Sequence, residues 1–460
     1  MRLLSNLPLE CFEPRASLAG FEIVSFGPPH RMWIDGTFHP FDVAFDPAVE
    51  GLETLFARLP PGFRPDAMLL WWPDQEPIPE GIERAPCPVV GILSDYNLSL
   101  PYVVGTWPCF DVLLVDRPGV RLFERLAFPD VRWFCQFTFK QPSHRLYPGI
   151  ARDLDLGFIG NLNPIVQRER APWIERVRAL GSAGLAVEVR SGVFGAEYGR
   201  FLNRCRIAFN RSIRGEMNLR AFEAPACGAM AMLETSNEEV RDFFVPGEEV
   251  VLYDDTDFEE LVRRYLRDER ERARIAANGH RRVQEHRLGK RLEVLARTLQ
   301  AKGPGRPAAT PFDLALARGI AMLSTWADGR AAARTLATAR RLAPDDPRPL
   351  NALALALLRV DARAHASQAV ELLQRAAWCD TNYVPAAQNL AWILARAGHA
   401  EAKAHADQDL ARRRASTSSW RDLDGPVLPF GSAAESLDYA QALRDAVAAG
   451  VPRLGLSRAP

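Results

Sequence analysis

Arg220 and Glu223 stand within one helical turn of each other in the stretch Arg206 to Glu239, RIAFNRSIRGEMNLRAFEAPACGAMAMLETSNEE, and offer a cation and a carboxylate to one ligand. A carboxylate on the first turn of a helix can accept hydrogen bonds from two vicinal hydroxyls, as on a ribose, while the free N–H groups of the helix start and the guanidinium face phosphate. The same two residues also suit a plainer role, Glu223 favouring the helix dipole and Arg220 standing as a surface cation. The helix is expected to begin at about Asn218 and to stop at Gly228, where a glycine relieves the left-handed strain of a helix end. Apolar runs flank it, Ile207 to Phe209 before and Ala229 to Leu233 after. The unit therefore reads strand, loop, helix, strand, the form that builds a parallel sheet. Ligands of such sheets lie beyond the carboxyl ends of the strands, where loop 211 to 219 falls.

Other polar residues follow apolar runs in the same way: His30 after FGPP, Asp74 and Glu76 after LLWWP, Asp95 after GILS, Asp116 after VLLV, and His144 after KQPS. Each could face a cleft or serve as a turn or cap residue. Asp95 and His30 follow early strands and are the preferred candidates for a general base. Gly160 and Asn161 close the run DLGFIGN, and a glycine there lets a backbone come close to a pyrophosphate. No GxGxxG loop occurs in the first 150 residues, so that half reads as the acceptor side.

The elements that must hold these residues come in three groups. Residues 1–150 show short, continuous apolar runs at Glu22 to Phe26, Phe41 to Phe45, Ala67 to Trp72, Val89 to Leu93, Val112 to Val115 and Arg132 to Gln136, with helical patterns at 48 to 58 and 119 to 126. Continuous hydrophobicity signals strands buried on both faces, hence an α/β domain. Residues 151–300 repeat the pattern, with strands at 155 to 161, 185 to 190 and 249 to 255 around the central unit and a short helix from Ala196 to Cys205. Pro172 interrupts or restarts one helix, Thr256 or Asp257 caps a long charged one, and Gly279 is expected to break the latter; its charged runs DERERAR and HRRVQEHR read as solvated faces. Residues 301–311, AKGPGRPAATP, have linker composition. From 312 to 460 the chain is alanine-rich and helical, and ARRLAPDDPRPLNALALALL is echoed by LQRAAWCDTNYVPAAQNLAWILARAG at an offset of 36 or 37 residues. That segment resembles tetratricopeptide repeats, expected to pack on the body or on another subunit. Residues 412 to 432 read as irregular and 433 to 449 as a last helix.

Composition narrows the function. Fifty-seven basic residues balance 57 acidic ones, which gives no extended nucleic-acid surface. The seven cysteines are scattered without metal-ligand spacing, which fits a reducing compartment and argues against a structural zinc site. No apolar run is long enough to span a bilayer, and MRLLSNLPLE lacks a signal-peptide core; a cytoplasmic location is expected.

Residues 155 to 300 resemble the C-terminal half of a GT-B glycosyltransferase, most specifically the CgeB-type (spore-maturation-like) group. The resemblance lies in FIGN (158 to 161), RIAFN (206 to 210), LRAFEAPACGAMAMLE (219 to 234), FFVPGEEVVLYDDTDFEELVRRYL (243 to 266) and GHRRVQEH (279 to 286). It implies two Rossmann-like domains facing a cleft and transfer of a sugar from a nucleotide-sugar donor, usually without a bound metal or other cofactor. It further implies that Glu223 holds the donor ribose, that Arg220 and the backbone around Asn218 and Leu219 lie beside the diphosphate, and that Gly160 and Asn161 line its other side. Asn210, Arg214 and Glu216 complete the implied donor site, and Arg211 or Arg214 could assist the leaving diphosphate. Many GT-B enzymes carry another glutamate eight residues before the ribose-binding one; here that position is Gly215, with Glu216 beside it. The expected partners are the donor and a protein or glycan acceptor, with a protein partner or self-association through the repeats. A nucleotide-sugar epimerase of the same fold and a catalytically silent repeat scaffold are the competing readings, since fold alone does not choose among them.

Overall fold

The computed structural model describes residues 1–29, 39–126, 128–163, 167, 169–213, 215–301, 303–327, 329–381, 383–396 and 400–416. Seven strands form a first sheet: β1 (Arg2–Ser5), β2 (Glu22–Gly27), β3 (Val43–Ala44), β4 (Ala67–Trp71), β5 (Val89–Ile92), β6 (Val112–Val115) and β7 (Val131–Trp133). Their order is β3-β2-β1-β4-β5-β6-β7, all parallel. The continuous apolar runs reflect burial on both faces. In β4, Met68 and Leu70 join Phe26, Tyr96 and Phe110 on one side. Ala67, Leu69 and Trp71 face the other side with Leu288, Leu292 and Leu295. The sequence reading missed β1, which has only two apolar residues, yet its pairing with both β2 and β4 makes it the point where strand order reverses.

Five strands form the second sheet: β8 (Leu154–Ile159), β9 (Val187–Arg190), β10 (Cys205–Phe209), β11 (Met230–Glu234) and β12 (Val251–Tyr253), in the order β12-β11-β10-β8-β9 and again parallel. Alternation sends Ile207, Phe209, Met230 and Met232 to a core with Trp173 and Tyr253, and Ala208, Ala231 and Leu233 to a core with Phe222 and Phe243. This is the two-Rossmann, GT-B arrangement. Pro172 starts the helix Ala171–Ser182. Asp257 is the N-cap residue of Phe258–Arg267 without a side-chain cap bond.

Gly279 does not break a helix, contrary to expectation; Glu269–Val283 runs through it. A Cβ there would lie 2.4 Å from the carbonyl oxygen of Glu249, so the missing side chain admits a neighbouring backbone. The helical stretch is interrupted instead at Asp268 and Arg287, each a non-helical flanking residue.

After His286 the chain crosses back, and the helix Leu288–Gln300 packs on the first sheet through Leu288, Leu292 and Leu295. Full burial of each such side chain is worth roughly 1.5–3 kcal/mol. His286, in a run read as solvated, is a buried pin at this crossing. Its Nε2–H donates to the Phe243 carbonyl at 2.9 Å and its Nδ1 accepts from Arg291 at 2.6 Å. Burial, then the Arg291 charge, pushes its pKa down to about 4, so the ring is neutral.

Among the described residues six helices follow: Pro311–Ala321, Gly329–Leu342, Pro347–Asp361, Ala366–Cys379, Val384–Arg396 and Ala400–Ser416, each packed on the next. The last runs into 412–416, where composition predicts irregular structure, while the final helix expected at 433 to 449 lies outside the described residues. Helix starts recur at an offset of 37 residues, Gly329 to Ala366 and Pro347 to Val384. Across that repeat, the buried Asn389 donates to the buried Asn351 at 2.7 Å. The array docks on the first sheet's domain: Arg318 Nε donates to the Ile78 carbonyl at 3.1 Å, Trp326 Nε1 to Glu76 at 2.6 Å, and Arg306 in the connecting segment pairs with Asp111 at 2.6 Å.

Helix propensity favours alanine over glycine by about 1 kcal/mol. Because the obstructing atom at Gly279 is backbone, we expect Gly279→Ala to lower stability by about 1–3 kcal/mol. Urea unfolding reads the sign directly: an unchanged or raised midpoint would refute this packing account.

Candidate functional site

In the second sheet the strand order reverses between β8 and β10, and the crevice beyond their carboxyl ends is a cavity of about 350 Å³. The second sheet's domain lines it with Arg170, Tyr198, Glu216, Asn218, Leu219, Arg220 and Glu223, and Asp95 reaches it from the end of β5. Lys140 and His144, from the segment joining the two sheets, close a further side.

The helix Leu219–Ala226 sets most of this geometry. Asn218 is its N-cap, with Oδ1 accepting from the Ala221 N–H at 3.2 Å. Gly228, φ +73°, takes the left-handed position beyond its end, as expected. Glu223 lies a full turn in, not on the first turn, so its carboxylate is set apart from the free N–H groups. It is 6 % exposed and hydrogen-bonds with the Tyr198 phenol, whose pKa burial and the Glu223 charge hold well above its ordinary value. His144 Nδ1 is 3.6 Å from Glu223 but already accepts the Lys140 N–H at 3.1 Å. Burial lowers the His144 pKa against the pull of Glu223, so a neutral imidazole stands beside the carboxylate.

Arg220 is a buried cation rather than a surface one. Its Nε donates to the Ile159 carbonyl at 2.6 Å and its Nη1 to Asn210 Oδ1 at 2.8 Å, and its guanidinium lies 4.3 Å from the Phe158 ring centre. A Cβ on Gly160 would sit 2.1 Å from Arg220 Nη2, so this glycine makes room for the guanidinium. Asn210 is buried beneath Arg220 and positions it. Neither Gly160 nor Asn161 lines the crevice itself, contrary to expectation; Asn161 is exposed, and its carbonyl accepts from Arg170 at 3.2 Å.

Arg170, which the sequence reading did not single out, also donates to the Arg211 carbonyl at 2.9 Å. Burial, then the Arg220 charge, pushes its pKa down to about 9, the mark of a cation short of compensating negative charge. Lys140 and Tyr198 were missed as well. The signal available for Arg170 was a basic run before a proline-started helix just after the Gly160 loop.

The loop before the helix is fixed from below. Ser212 N–H donates to Glu234 at 2.8 Å, and the Ser212 hydroxyl is bonded to the same carboxylate. Gly215 has φ +77°, and a Cβ there would lie 2.6 Å from the Ser236 carbonyl, so a glutamate cannot occupy this position. Glu216 is the carboxylate that lines the crevice instead. A buried latch joins the domains here. Glu239 accepts from Arg117 N–H at 2.9 Å and Trp133 Nε1 at 2.7 Å on the first domain, and from Met217 N–H at 3.3 Å on this loop.

Asp116 proves to be a helix cap, accepting from Gly119 N–H at 2.7 Å and Tyr96 OH at 2.8 Å. His30 and Arg214 lie outside the described residues. Asp74 is 2 % exposed, and burial, then the Asp95 charge, push its pKa up to about 7.

A family model described as glycosyl transferase-like matches residues 151–297. Among solved structures the chain is similar to an α-glucosyltransferase in complex with UDP and a 13-mer DNA, at 12% identity and TM-score 0.43, over 65% of this chain and 99% of that one. It is similar to sucrose-phosphate synthase from Thermosynechococcus elongatus, at 13% and 0.39, over 65% and 98%. HepE of Anabaena with UDP-glucose stands at 13% and 0.38, over 65% and 99%. No curated protein matches the chain. The molecule is a two-sheet α/β protein with a docked helical array, and its second domain is the part that the glycosyl transferase-like family model matches. Among the described residues no helix is long and apolar enough to cross a membrane.

An unfolded aspartate ionises near 3.8, and Asp74 keeps its proton to about 7 when folded. The native state therefore holds a proton the unfolded chain has lost, and stability present at pH 4 is lost as the pH rises through 7. Asp74→Asn abolishes this titration. We expect its melting temperature to exceed that of the wild type at pH 8, with the gap narrowing as the pH falls to 4; a gap independent of pH would contradict the assignment.

Proposed function

We propose that this protein transfers a sugar from a nucleoside-diphosphate sugar to a hydroxyl of a protein or glycan acceptor. The observation that carries the reading is the crevice itself. Three cations, Arg170, Arg220 and Lys140, share it with the helix start at Asn218, carboxylates at Glu216 and Glu223, and a third carboxylate, Asp95, from the other domain. In this reading Glu223 accepts hydrogen bonds from the ribose diol, and Phe194 and Leu219, 42% and 40% exposed on the rim, offer apolar surface to the base.

The reaction forms a bond between the acceptor oxygen and the anomeric carbon and breaks the bond from that carbon to the β-phosphate oxygen. Negative charge grows on the departing diphosphate, so preset cations and N–H donors stabilise the transition state more than the ground state. The acceptor proton goes to Asp95 if configuration inverts. The finer placement in the CgeB-type group rests on FIGN, LRAFEAPACG and GHRRVQEH, and the role given to the tetratricopeptide-like helices is to recruit the acceptor or a partner. Seven cysteines without disulfide partners support a reducing compartment, the cytoplasm.

Calorimetry and nucleotide release over a panel of nucleotide sugars test this. Glu223→Gln should weaken donor binding by about 1–3 kcal/mol with the fold intact. Asp95→Asn should lower kcat about 100-fold or more and leave donor affinity unchanged. Conversion of the sugar without nucleotide release would favour an epimerase, and a chain that binds no donor would leave the silent scaffold.

A further inference from the structure

A second cavity of about 500 Å³ lies at the seam between the first sheet's domain and the helical array. Asp74, Asp95, Ser99 and Tyr102 form one wall, and Leu323, Ser324 and Arg359 of the array form the other. Asp95 lines this cavity and the crevice alike, so the two meet at the candidate base. We propose that the helical array completes an acceptor subsite here, and that the occupant is a sugar ring of a carbohydrate acceptor. This rests on the transferase reading given above.

Three observations support it. The volume falls within the roughly 300–1,000 Å³ of small-molecule sites. Carboxyl, amide, hydroxyl and guanidinium groups line it beside Leu98 and Leu323, and such polar groups bond ring hydroxyls while apolar ones meet a ring's C–H face. Asp74 is 2 % exposed, and its Oδ1 has no hydrogen-bond partner among the described residues. Leaving such an atom unpaired is costly, and a ligand hydroxyl would relieve that cost. Its raised pKa lets the carboxyl both donate and accept near neutrality.

The array's wall is rigidly built. Arg359 donates to the carbonyls of Met322 at 3.0 Å, Leu323 at 2.7 Å and Thr325 at 2.6 Å, which fixes the turn that carries Ser324. Peptides are commonly recognised by strand addition at a sheet edge or in an apolar groove. The edge strands β3 and β7 do not line this cavity. A smaller recess of about 160 Å³ opens off the crevice at Glu223, but Leu7, Leu9, Phe12, Trp71 and Trp72 make it apolar, and it falls below the usual size of a ligand site.

The test uses the full chain with a donor chosen by calorimetry, and reads nucleotide release with and without methyl hexopyranosides, simple disaccharides and a serine-rich peptide. We expect a saccharide to raise release about tenfold or more. Ser324→Trp, which fills the cavity from the array's side, should raise the saccharide KM about tenfold, with donor Kd and saccharide-free release within about twofold of wild type, and Asp74→Leu, on the opposite wall, should raise the same KM about tenfold. An unchanged saccharide KM in a folded Ser324→Trp variant overturns the proposal, as does stimulation by the peptide alone. A wild-type chain that binds no donor overturns the transferase reading itself and is seen separately, in the calorimetry.

Discussion

The site depends on how two separate parallel sheets are held with their strand ends facing one crevice, and the buried carboxylate of Glu239 is central to that. It is 1 % exposed and ties Arg117 and Trp133 of one domain to Met217 of the other. Burial raises its pKa, while the N–H donors oppose that shift. Arg117 also makes a two-pronged pair with Asp242, and Arg121 pairs with Glu238, so the cross-domain contacts gather beside the loop that precedes the helix Leu219–Ala226. A loop that carries Met217 and Asn218 is thereby registered against the first sheet.

Within the crevice, the arrangement separates charges by burial. Arg220 is held by a carbonyl and by Asn210, neither of which carries charge, and Arg170 is held by two carbonyls. Hydrogen bonds fix their direction without cancelling their charge. Glu223 sits instead with the Tyr198 phenol and a neutral His144.

The helical array is part of the same body rather than an appended module. Tyr102 of the first domain shares a core with Leu316, Leu336 and Leu350 of the array. Trp326 reaches Glu76 two residues from Asp74, and Arg306 straps the connecting segment to Asp111, so a stretch with linker composition is held in place. The crossing helix Leu288–Gln300, pinned by His286, likewise binds the end of the second domain to the first sheet.

The amino-acid sequence by itself determined the α/β class, the positions of most strands, the helix from Asn218 to its glycine stop, and a helical period of 36 or 37 residues. Those follow from local pattern: continuous apolar runs, cap chemistry and repeat spacing act over a few residues. β1 was not legible, because RLLS has too little apolar signal until parallel partners flank it on both sides. Gly279 was misread, since propensity favours a break while the neighbouring Glu249 carbonyl demands a glycine inside a continuous helix. Arg170, Lys140 and Tyr198 joined Glu223 only through the meeting of distant segments. The burial that leaves Arg170 short of negative charge, gives Asp74 its raised pKa, and lets Asp95 serve two cavities is likewise a property of packed surfaces, which no run of residues encodes on its own.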